Sequence, residues 1–202
     1  MLNSLKTLDI QACVGPAFST VISPGEIVCL TGPSGCGKSL LLRAIADLDT
    51  HKGEAWFNNK SATDTHPTLW RKQVGYLPPT SFWWNDVVSH HFTKPEDAFL
   101  YMTAIGIPKE SMDWQLHRMS TGEKQRMSIV RLLSNQPKTL LLDEPTANLD
   151  PKTTQAVESM IINYTKKYSC SVIWVSHDLA QVKRVANRHL AIDGNQISEE
   201  PL

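Results

Sequence analysis

The chain has 202 residues, 41% hydrophobic and 20% charged, which is ordinary for a soluble globular domain that buries a core. Twenty Lys and Arg balance 20 Asp and Glu, so no charge excess predicts a nucleic-acid partner. The chain has neither a signal-peptide pattern nor a run of roughly 20 apolar residues, so we expect a cytoplasmic location. The four cysteines are scattered without a C-x-x-C pair, which indicates buried thiols in a reducing compartment.

The first part of the chain predicts strands over residues 5–10, 14–22 and 26–30. A glycine-rich loop follows directly and fits G-x-x-x-x-G-K-[ST], the phosphate-binding P-loop. Its residues are Gly32, Pro33, Ser34, Gly35, Cys36, Gly37, Lys38 and Ser39. Residues 39–48 predict a helix with Leu41, Ile45 and Leu48 on one face. Strand, loop and helix together favour a P-loop over a glycine turn that matches by chance.

Each part of this loop suits a bound phosphate. Glycines let backbone amides close round an anion, and the helix N-terminus adds a favourable dipole. Lys38 would reach the β- and γ-phosphates of a nucleotide, and the Ser39 hydroxyl would bind Mg²⁺.

Beyond the P-loop, predicted strands and helices alternate. Residues 80–118 are rich in Trp and His and partly helical in pattern, which predicts a small inserted helical subdomain. The other predicted elements are strands over 54–57, 73–77, 139–142 and 171–175, helices over 120–134, 151–167 and 178–186, and a closing hairpin over 189–198. This alternation predicts one α/β domain over residues 1–202 with a mostly parallel core sheet.

Two carboxylates end the apolar strand over 139–142. Asp143 is placed to hold Mg²⁺ opposite Ser39, and Glu144 to polarise a water for attack on the γ-phosphate. Acidic residues at the end of a buried strand face the crevice where α/β sheets bind ligands. The alternative is a strand end that is merely solvated.

Several stretches, in this order and spacing, resemble the ATP-binding subunit of an ABC transporter over about residues 5–197. They are the P-loop, Leu140-Leu141-Leu142-Asp143-Glu144-Pro145, and Met119-Ser120-Thr121-Gly122-Glu123, which is similar to the signature motif Leu-Ser-Gly-Gly-Gln. Ala147-Asn148-Leu149-Asp150 resembles the D-loop, and His177 stands at the place of the switch histidine. The resemblance implies the P-loop NTPase fold of ABC ATPases, with an N-terminal antiparallel β part.

In that family the signature motif covers the γ-phosphate held by a second subunit. The resemblance therefore implies a homodimer, or a dimer with another ABC ATPase, formed head to tail on two ATP molecules. Ser120, Gly122 and Asp150 would belong to this dimer site. His177 would hydrogen-bond the γ-phosphate and orient the water beside Glu144.

Local interpretations of the same residues stay open. Ser120-Thr121-Gly122-Glu123 also fits a capping box, in which the Ser120 and Glu123 side chains close a helix start. Asp150 before a proline is also a good N-cap. His177 considered alone would more often be a structural histidine.

The sequence departs from the family pattern at two places. Pro79 stands where the family has a glutamine that contacts Mg²⁺ and the attacking water, so we expect slower turnover or altered coupling, which Pro79→Gln would test. The aromatic residue that stacks on adenine is missing near Cys13 and Val14, with Phe18 the nearest, so the preference for ATP over GTP is open. Trp83 and its neighbours fit either the core or a docking point for the membrane partner.

The resemblance implies an ATPase subunit that dimerises on ATP and powers a separate membrane permease. The protein would then sit on the cytoplasmic face of the membrane, bind ATP and Mg²⁺, and bind no nucleic acid. Two alternatives remain: a soluble ABC-type ATPase outside transport, and a regulatory or assembly module with weak or no hydrolysis.

Overall fold

The computed structural model describes residues 3–202, which form ten strands, six α-helices and four short 3₁₀ helices. The strands are β1 Leu5–Gln11, β2 Phe18–Ile22, β3 Ile27–Thr31, β4 Lys52–Phe57, β5 Lys60–Ser61, β6 Val74–Leu77, β7 Thr139–Asp143, β8 Ser171–Val175, β9 Arg188–Asp193 and β10 Gln196–Glu200. The α-helices are α1 Lys38–Ile45, α2 Pro67–Gln73, α3 Phe99–Ala104, α4 Thr121–Ser134, α5 Pro151–Tyr168 and α6 Leu179–Val185. The 3₁₀ helices are Val88–His91, Pro95–Ala98, Lys109–Asp113 and Leu116–Arg118.

The strands form two sheets. The larger has six strands in the order β10-β9-β3-β8-β7-β6, all parallel except for β10 at one edge. The smaller is antiparallel, with the order β2-β1-β4-β5. Every residue of β3, β7 and β8 is buried, as expected for central strands covered on both faces. The predicted α/β class with its mostly parallel sheet is confirmed.

Two apolar clusters cover the two faces of the parallel sheet. One joins Val28 and Leu30 of β3 to α1 and the antiparallel sheet. The other joins Ile27 and Cys29 to α4, α5, α6 and the apolar residues of 88–119. Adjacent strand residues thus enter opposite layers, because successive side chains alternate across a strand. The segment 80–118 packs on the α4–α6 face and contains only short helices.

The helix starts follow from local capping. The Ser120 hydroxyl accepts the Glu123 amide at 3.2 Å, and the Glu123 carboxylate accepts the Ser120 amide at 2.9 Å. The predicted capping box therefore forms at the start of α4. Asp150 caps α5 by accepting the Thr153 amide at 3.1 Å, with Pro151 as the first helical residue.

Two local predictions are wrong, and one helix was missed. The helix after the P-loop ends at Ile45 rather than Leu48, because Asp47 turns the chain into the left-handed region at φ 55°, and Leu48 is left 40% exposed. Helix α2 was not predicted, since its Pro67–Gln73 segment lacks a clear apolar period. Not all cysteines are buried: Cys13 is exposed and Cys36 partly so, whereas Cys29 and Cys170 are buried.

Candidate nucleotide-binding and catalytic site

The predicted site segments emerge at one edge of the parallel sheet. Strands β3, β8 and β7 are neighbours and run parallel, so their carboxyl ends lie side by side. The P-loop follows β3, Asp143 ends β7 with Glu144 directly after it, and His177 comes shortly after β8. This edge is where α/β sheets bind ligands.

The P-loop backbone requires glycine at defined positions. Gly32, Gly35 and Gly37 have φ of 149°, 80° and 99°, which only glycine adopts easily. A Cβ on Gly37 would lie 2.5 Å from the Val14 carbonyl oxygen, and one on Gly32 would lie 2.9 Å from that of Ile192. The loop is thus packed against backbone at two points.

Lys38 is held inside its own loop. Its Nζ donates to the carbonyl oxygens of Gly32 at 2.8 Å and Pro33 at 2.9 Å, and the residue is 7% exposed. Within residues 3–202 no carboxylate forms an ion pair with it. A buried ammonium whose partners are two neutral carbonyls and the Cys36 sulfur, at 3.8 Å, has no carboxylate of the described chain to compensate it and is suited to an anionic ligand.

Asp143 has one carboxylate oxygen occupied and one free. Its Oδ2 accepts the Tyr76 hydroxyl at 3.2 Å, whereas no polar atom of the described chain hydrogen-bonds to the buried Oδ1. Burial raises the pKa of Asp143 above its usual value, against the opposing effect of the Ser39 and Tyr76 hydroxyls. An unpaired buried carboxylate oxygen is costly unless a cation or water completes it.

The donor set at this point suits Mg²⁺. Residues 3–202 contain no group of three or more His, Cys, Asp or Glu that could hold a metal alone. Ser39 and Asp143 instead supply one hydroxyl and one carboxylate, and Mg²⁺ commonly takes its other ligands from nucleotide phosphates and water.

Glu144 and His177 meet across the site. The His177 Nε2 lies 2.9 Å from Glu144 Oε1, and the two side chains are 44% and 36% exposed. Glu144 has a positive φ of 50°, and its amide donates to the Val175 carbonyl at 3.2 Å. That conformation costs roughly 1 kcal/mol in a residue other than glycine, and the bond to β8 holds it. The pair is aimed into a cleft of about 440 Å³ that the D-loop also lines.

The remaining predicted site residues lie elsewhere in the single chain. Ser120 and Gly122 begin α4, which packs on β6 and α3, and Asp150 begins α5. A Cβ on Gly122 would lie 3.6 Å from Leu149, so the signature segment is adjacent to the D-loop. Among residues 3–202, the hydrogen bonds of these three residues stay within their own helix starts. None of these bonds joins them to the P-loop of the same copy.

The two departures from the family pattern have structural consequences. Pro79 is exposed and lines a cavity of about 120 Å³ whose opposite wall includes Thr121 and Lys124 of α4. Phe18 is buried in the core at 2% exposure, so it is not available to stack on a base. Near the P-loop, the exposed apolar side chain in place of an adenine-stacking aromatic residue is Val14, which is 49% exposed.

Phe82, Trp83 and Trp84 form what we call the aromatic platform. Phe82 and Trp84 are 83% and 65% exposed, so the core interpretation is wrong for these two, whereas Trp83 is partly buried. The Arg131 guanidinium lies 4.3 Å from the Trp83 ring centre and 5.0 Å from that of Trp84. Burial lowers the Arg131 pKa to about 10.

His91 holds the backbone of the aromatic platform through hydrogen bonds. Its Nε2 accepts the amides of Trp84 and Asn85, both at 3.0 Å, so Nδ1 carries the proton and donates to the Val88 carbonyl at 3.2 Å. The ring is buried and contacts both tryptophans edge-on. Burial lowers the pKa of His91 below its usual value, which favours this neutral form.

Sequence reasoning missed two polar residues that contact the site. Tyr76 bonds to Asp143, and Gln181 bonds to residues beside Glu144 and His177. No sequence signal marks Tyr76, because it comes to the same face of the sheet as Asp143 only through its pairing with Leu141. None marks Gln181 either, which lies on a short helix.

A P-loop beside a buried aspartate and a Glu–His pair, on a mostly parallel sheet, defines a P-loop ATPase. A family model described as "ABC transporter" matches residues 17–147. The chain belongs to the ABC transporter family, as an ATP-binding subunit with ATPase activity.

The relatives and the fold agree with this assignment. The chain is 33% identical over 169 residues to the probable iron export ATP-binding protein FetA of Escherichia coli, covering 78% of this chain and 75% of that protein. It is 31% identical to the phosphate import ATP-binding protein PstB of Aeropyrum pernix, covering 87% of this chain and 79% of that protein. A solved bacterial Atm1-family ABC exporter with ATP bound shares the fold, with a TM-score of 0.85 at 22% identity over 98% of this chain and 39% of that one.

No helix in the part of the chain that the structure describes has the length and apolar character needed to cross a membrane.

Proposed function

We propose that the chain binds ATP with Mg²⁺ at its P-loop, hydrolyses it in a head-to-tail dimer, and powers a separate permease in the membrane. The observation that carries this proposal is the convergence of Lys38, the unpaired Asp143 Oδ1 and the Glu144–His177 pair at one edge of the sheet. Phosphoryl transfer needs mainly positioning and charge neutralisation, and these groups offer both.

The loop residues bind the phosphates. Backbone amides of residues 34–39 close round the β-phosphate, and Lys38 exchanges its bonds to the Gly32 and Pro33 carbonyls for the β- and γ-phosphate oxygens. The phosphates replace neutral partners with charged ones, so this exchange favours binding.

Two residues hold the metal and two act on water. Ser39 and Asp143 would hold Mg²⁺, which when bound neutralises the charge that develops on the phosphates. Glu144 accepts a hydrogen bond from the attacking water and polarises it. His177 donates from Nε2 to Glu144 in the present geometry, and we propose that it also donates to the γ-phosphate once ATP is bound.

The second half of the site comes from another copy. Ser120 and Gly122 stay at the start of α4, and the exposed helix N-terminus there favours an anion. We propose that this terminus and Asp150 of one copy close over the ATP held by the other copy. The partner is a second copy of this chain or another ABC ATPase. ATP and Mg²⁺ therefore complete a composite site.

Family membership supports the proposed membrane partner and location. FetA and PstB are described as ATP-binding proteins for iron export and phosphate import, and this chain would likewise work with a permease, on the cytoplasmic face of the membrane. We propose that residues 80–118, including the aromatic platform, face that permease. The chain would act as one ATP-binding domain over residues 1–202 with this segment inserted. Cargo and direction would be set by the permease.

The test is Glu144→Gln in the full chain. This change keeps the shape of the side chain and removes the charge that polarises water, so we expect turnover to fall at least about 100-fold. Because ATP binding is unaffected, an ATP-bound dimer should accumulate on size-exclusion chromatography. Equal ATP turnover in wild type and Glu144→Gln would refute the proposal. So would a wild-type protein that hydrolyses no ATP either when purified alone or in its native membranes.

A further inference from the structure

Gln181 lies beneath the Glu144–His177 pair with all four of its hydrogen-bonding positions used. Its Oε1 accepts the Trp174 indole at 3.2 Å and the Ser176 hydroxyl at 2.9 Å. Its Nε2 lies 2.8 Å from Thr146 Oγ1 and 2.9 Å from Glu158 Oε1, and donates to both. The residue is 4% exposed, so none of these bonds has water as a ready substitute.

The chemistry of these partners fixes the amide orientation. An indole N–H only donates and a carboxylate only accepts, so the oxygen must face Trp174 and the nitrogen must face Glu158. Glu158 is itself held by Arg184, whose Nη2 and Nε lie 2.7 Å and 3.1 Å from its two oxygens. Gln181 therefore has one rotamer and one amide direction, anchored on helix α5.

The bonds of Gln181 reach both arms of the catalytic pair. On one side Ser176 precedes His177, and its hydroxyl also accepts the Asp178 amide at 3.0 Å, so it braces the turn that presents the imidazole. On the other side Thr146 follows Glu144 by two residues, in the segment that leads into the D-loop. All of these residues except Trp174 and Glu158 line the same cleft.

We propose that Gln181 is a positioning residue that sets the distance between Glu144 and His177 by binding the segments that carry them. This inference rests on the proposed function, which makes the pair catalytic. A glutamine side chain is suited to the task because it accepts on the β8 side and donates on the β7 side at once. The polar network connects the segments that follow β7 and β8, and these two strands provide the rigid support.

The sharpest test is Thr146→Val, with Thr146→Ser as its conservative partner. Valine has nearly the volume of threonine but no acceptor for the Gln181 amide, so one hydrogen bond of the network is lost. Serine keeps the hydroxyl. For Thr146→Val we expect kcat to fall about tenfold with the KM for ATP within about twofold of wild type. For Thr146→Ser we expect near wild-type kcat. Thr154→Val is the matched control: it lines the same cleft, and its hydroxyl makes no hydrogen bond within residues 3–202.

A double-mutant cycle separates positioning from general structure. Gln181→Leu and His177→Ala are measured singly and together in the full chain. If Gln181 acts through His177, the fold-decrease in kcat caused by Gln181→Leu should be at least about fivefold smaller in the His177→Ala background than in wild type. The inference would be overturned if the kcat of the double variant were lowered by the product of the two single-variant factors. The inference would also be overturned if Thr146→Val and Thr146→Ser had the same kcat while Glu144→Gln abolished turnover. If Glu144→Gln has no effect, the proposed function fails instead.

Discussion

Gly37 is the residue on which the geometry of the phosphate loop depends most directly. It combines a left-handed φ of 99° with a backbone contact that leaves no room for a side chain. Its neighbour Lys38 opens α1, so any shift at Gly37 also moves the ammonium and the first helical amides. Nucleotide affinity at this loop is therefore a property of backbone packing as much as of the lysine charge.

We expect Gly37→Ala to weaken ATP binding at least about tenfold, equivalent to roughly 1.4 kcal/mol, because the new Cβ would lie 2.5 Å from the Val14 carbonyl oxygen. Equilibrium titration with a fluorescent ATP analogue measures this. Gly106→Ala is the control: Gly106 also has a positive φ, but its Cβ would meet nothing within 4 Å. That change should cost about 1 kcal/mol of stability and leave ATP affinity unaltered.

Tyr76 orients the carboxylate proposed to hold the metal. Its hydroxyl bonds to Oδ2 of Asp143, which leaves Oδ1 directed to the site. We expect Tyr76→Phe to raise the Mg²⁺ concentration for half-maximal ATPase activity about tenfold or more, since a hydrogen bond to a charged group is worth roughly 1.5–3 kcal/mol.

Tyr168→Phe, in an aromatic cluster at the end of α5, serves as the control for the loss of a phenol. Superimposable Mg²⁺ titrations of wild type and Tyr76→Phe would show that the tyrosine does not orient Asp143.

At the scale of elements, the start of α4 combines a structural and a proposed functional role. The Ser120 hydroxyl is engaged by the Glu123 carboxylate at 2.7 Å, and this contact lowers the pKa of Glu123, which keeps it ionised. The same helix start is the surface proposed to meet the γ-phosphate of another copy. A negative charge there opposes an approaching phosphate, and Lys124 on the next residue is placed to offset it.

The 3₁₀ helix that carries His91 makes the aromatic platform sensitive to pH. We expect His91→Phe to lower the free energy of unfolding by about 1–3 kcal/mol at pH 7.5, since two backbone amides lose their acceptor. The folded state depresses the pKa of His91, with burial as the main cause and Arg131 and His90 adding to it. The stability that His91 confers is thus present above its ordinary pKa of 6.5 and is lost as pH falls through the folded value.

Thermal melts followed by tryptophan fluorescence at pH 7.5 and at successively lower pH check this expectation. The difference between wild type and His91→Phe should shrink on acidification. His90→Phe is the control, because His90 is exposed and next to His91. A difference that stays constant from pH 7.5 to pH 5 would contradict the assigned role of the neutral ring.

At the scale of the whole molecule, the two kinds of nucleotide contact are carried by different regions. The P-loop, Asp143, Glu144 and His177 lie at the carboxyl edge of the sheet, whereas the signature residues lie at the start of α4. A composite dimer site follows if both are needed.

Mixing two inactive variants tests that arrangement. Lys38→Ala should abolish phosphate binding, and Ser120→Arg should block the opposite half-site. A mixed dimer has one site with both lesions and one intact site, so activity should reappear on mixing to about a quarter of wild type. Absence of any recovery, with heterodimers demonstrated by tag pull-down, would contradict a site shared between copies.

Much of the fold was predictable from short stretches. The strands β3, β7 and β8 are continuous apolar runs, and the start of α4 contains its own capping signal. These features depend on residues a few positions apart, so local propensity and periodicity suffice to predict them. Helix α2 and the early end of α1 were not predictable, because they depend on turn conformations rather than on apolar spacing.

The candidate site divides in the same way. The phosphate loop and the acidic residues after β7 were predictable because each is a motif of adjacent residues, and the order and spacing of several such motifs indicated the family. The fold alone shows that Tyr76 bonds to Asp143, 67 residues away, that Glu144 meets His177, and that Gln181 connects their segments. These contacts depend on strand order and register, which place remote residues at one sheet edge, and no local pattern encodes that pairing.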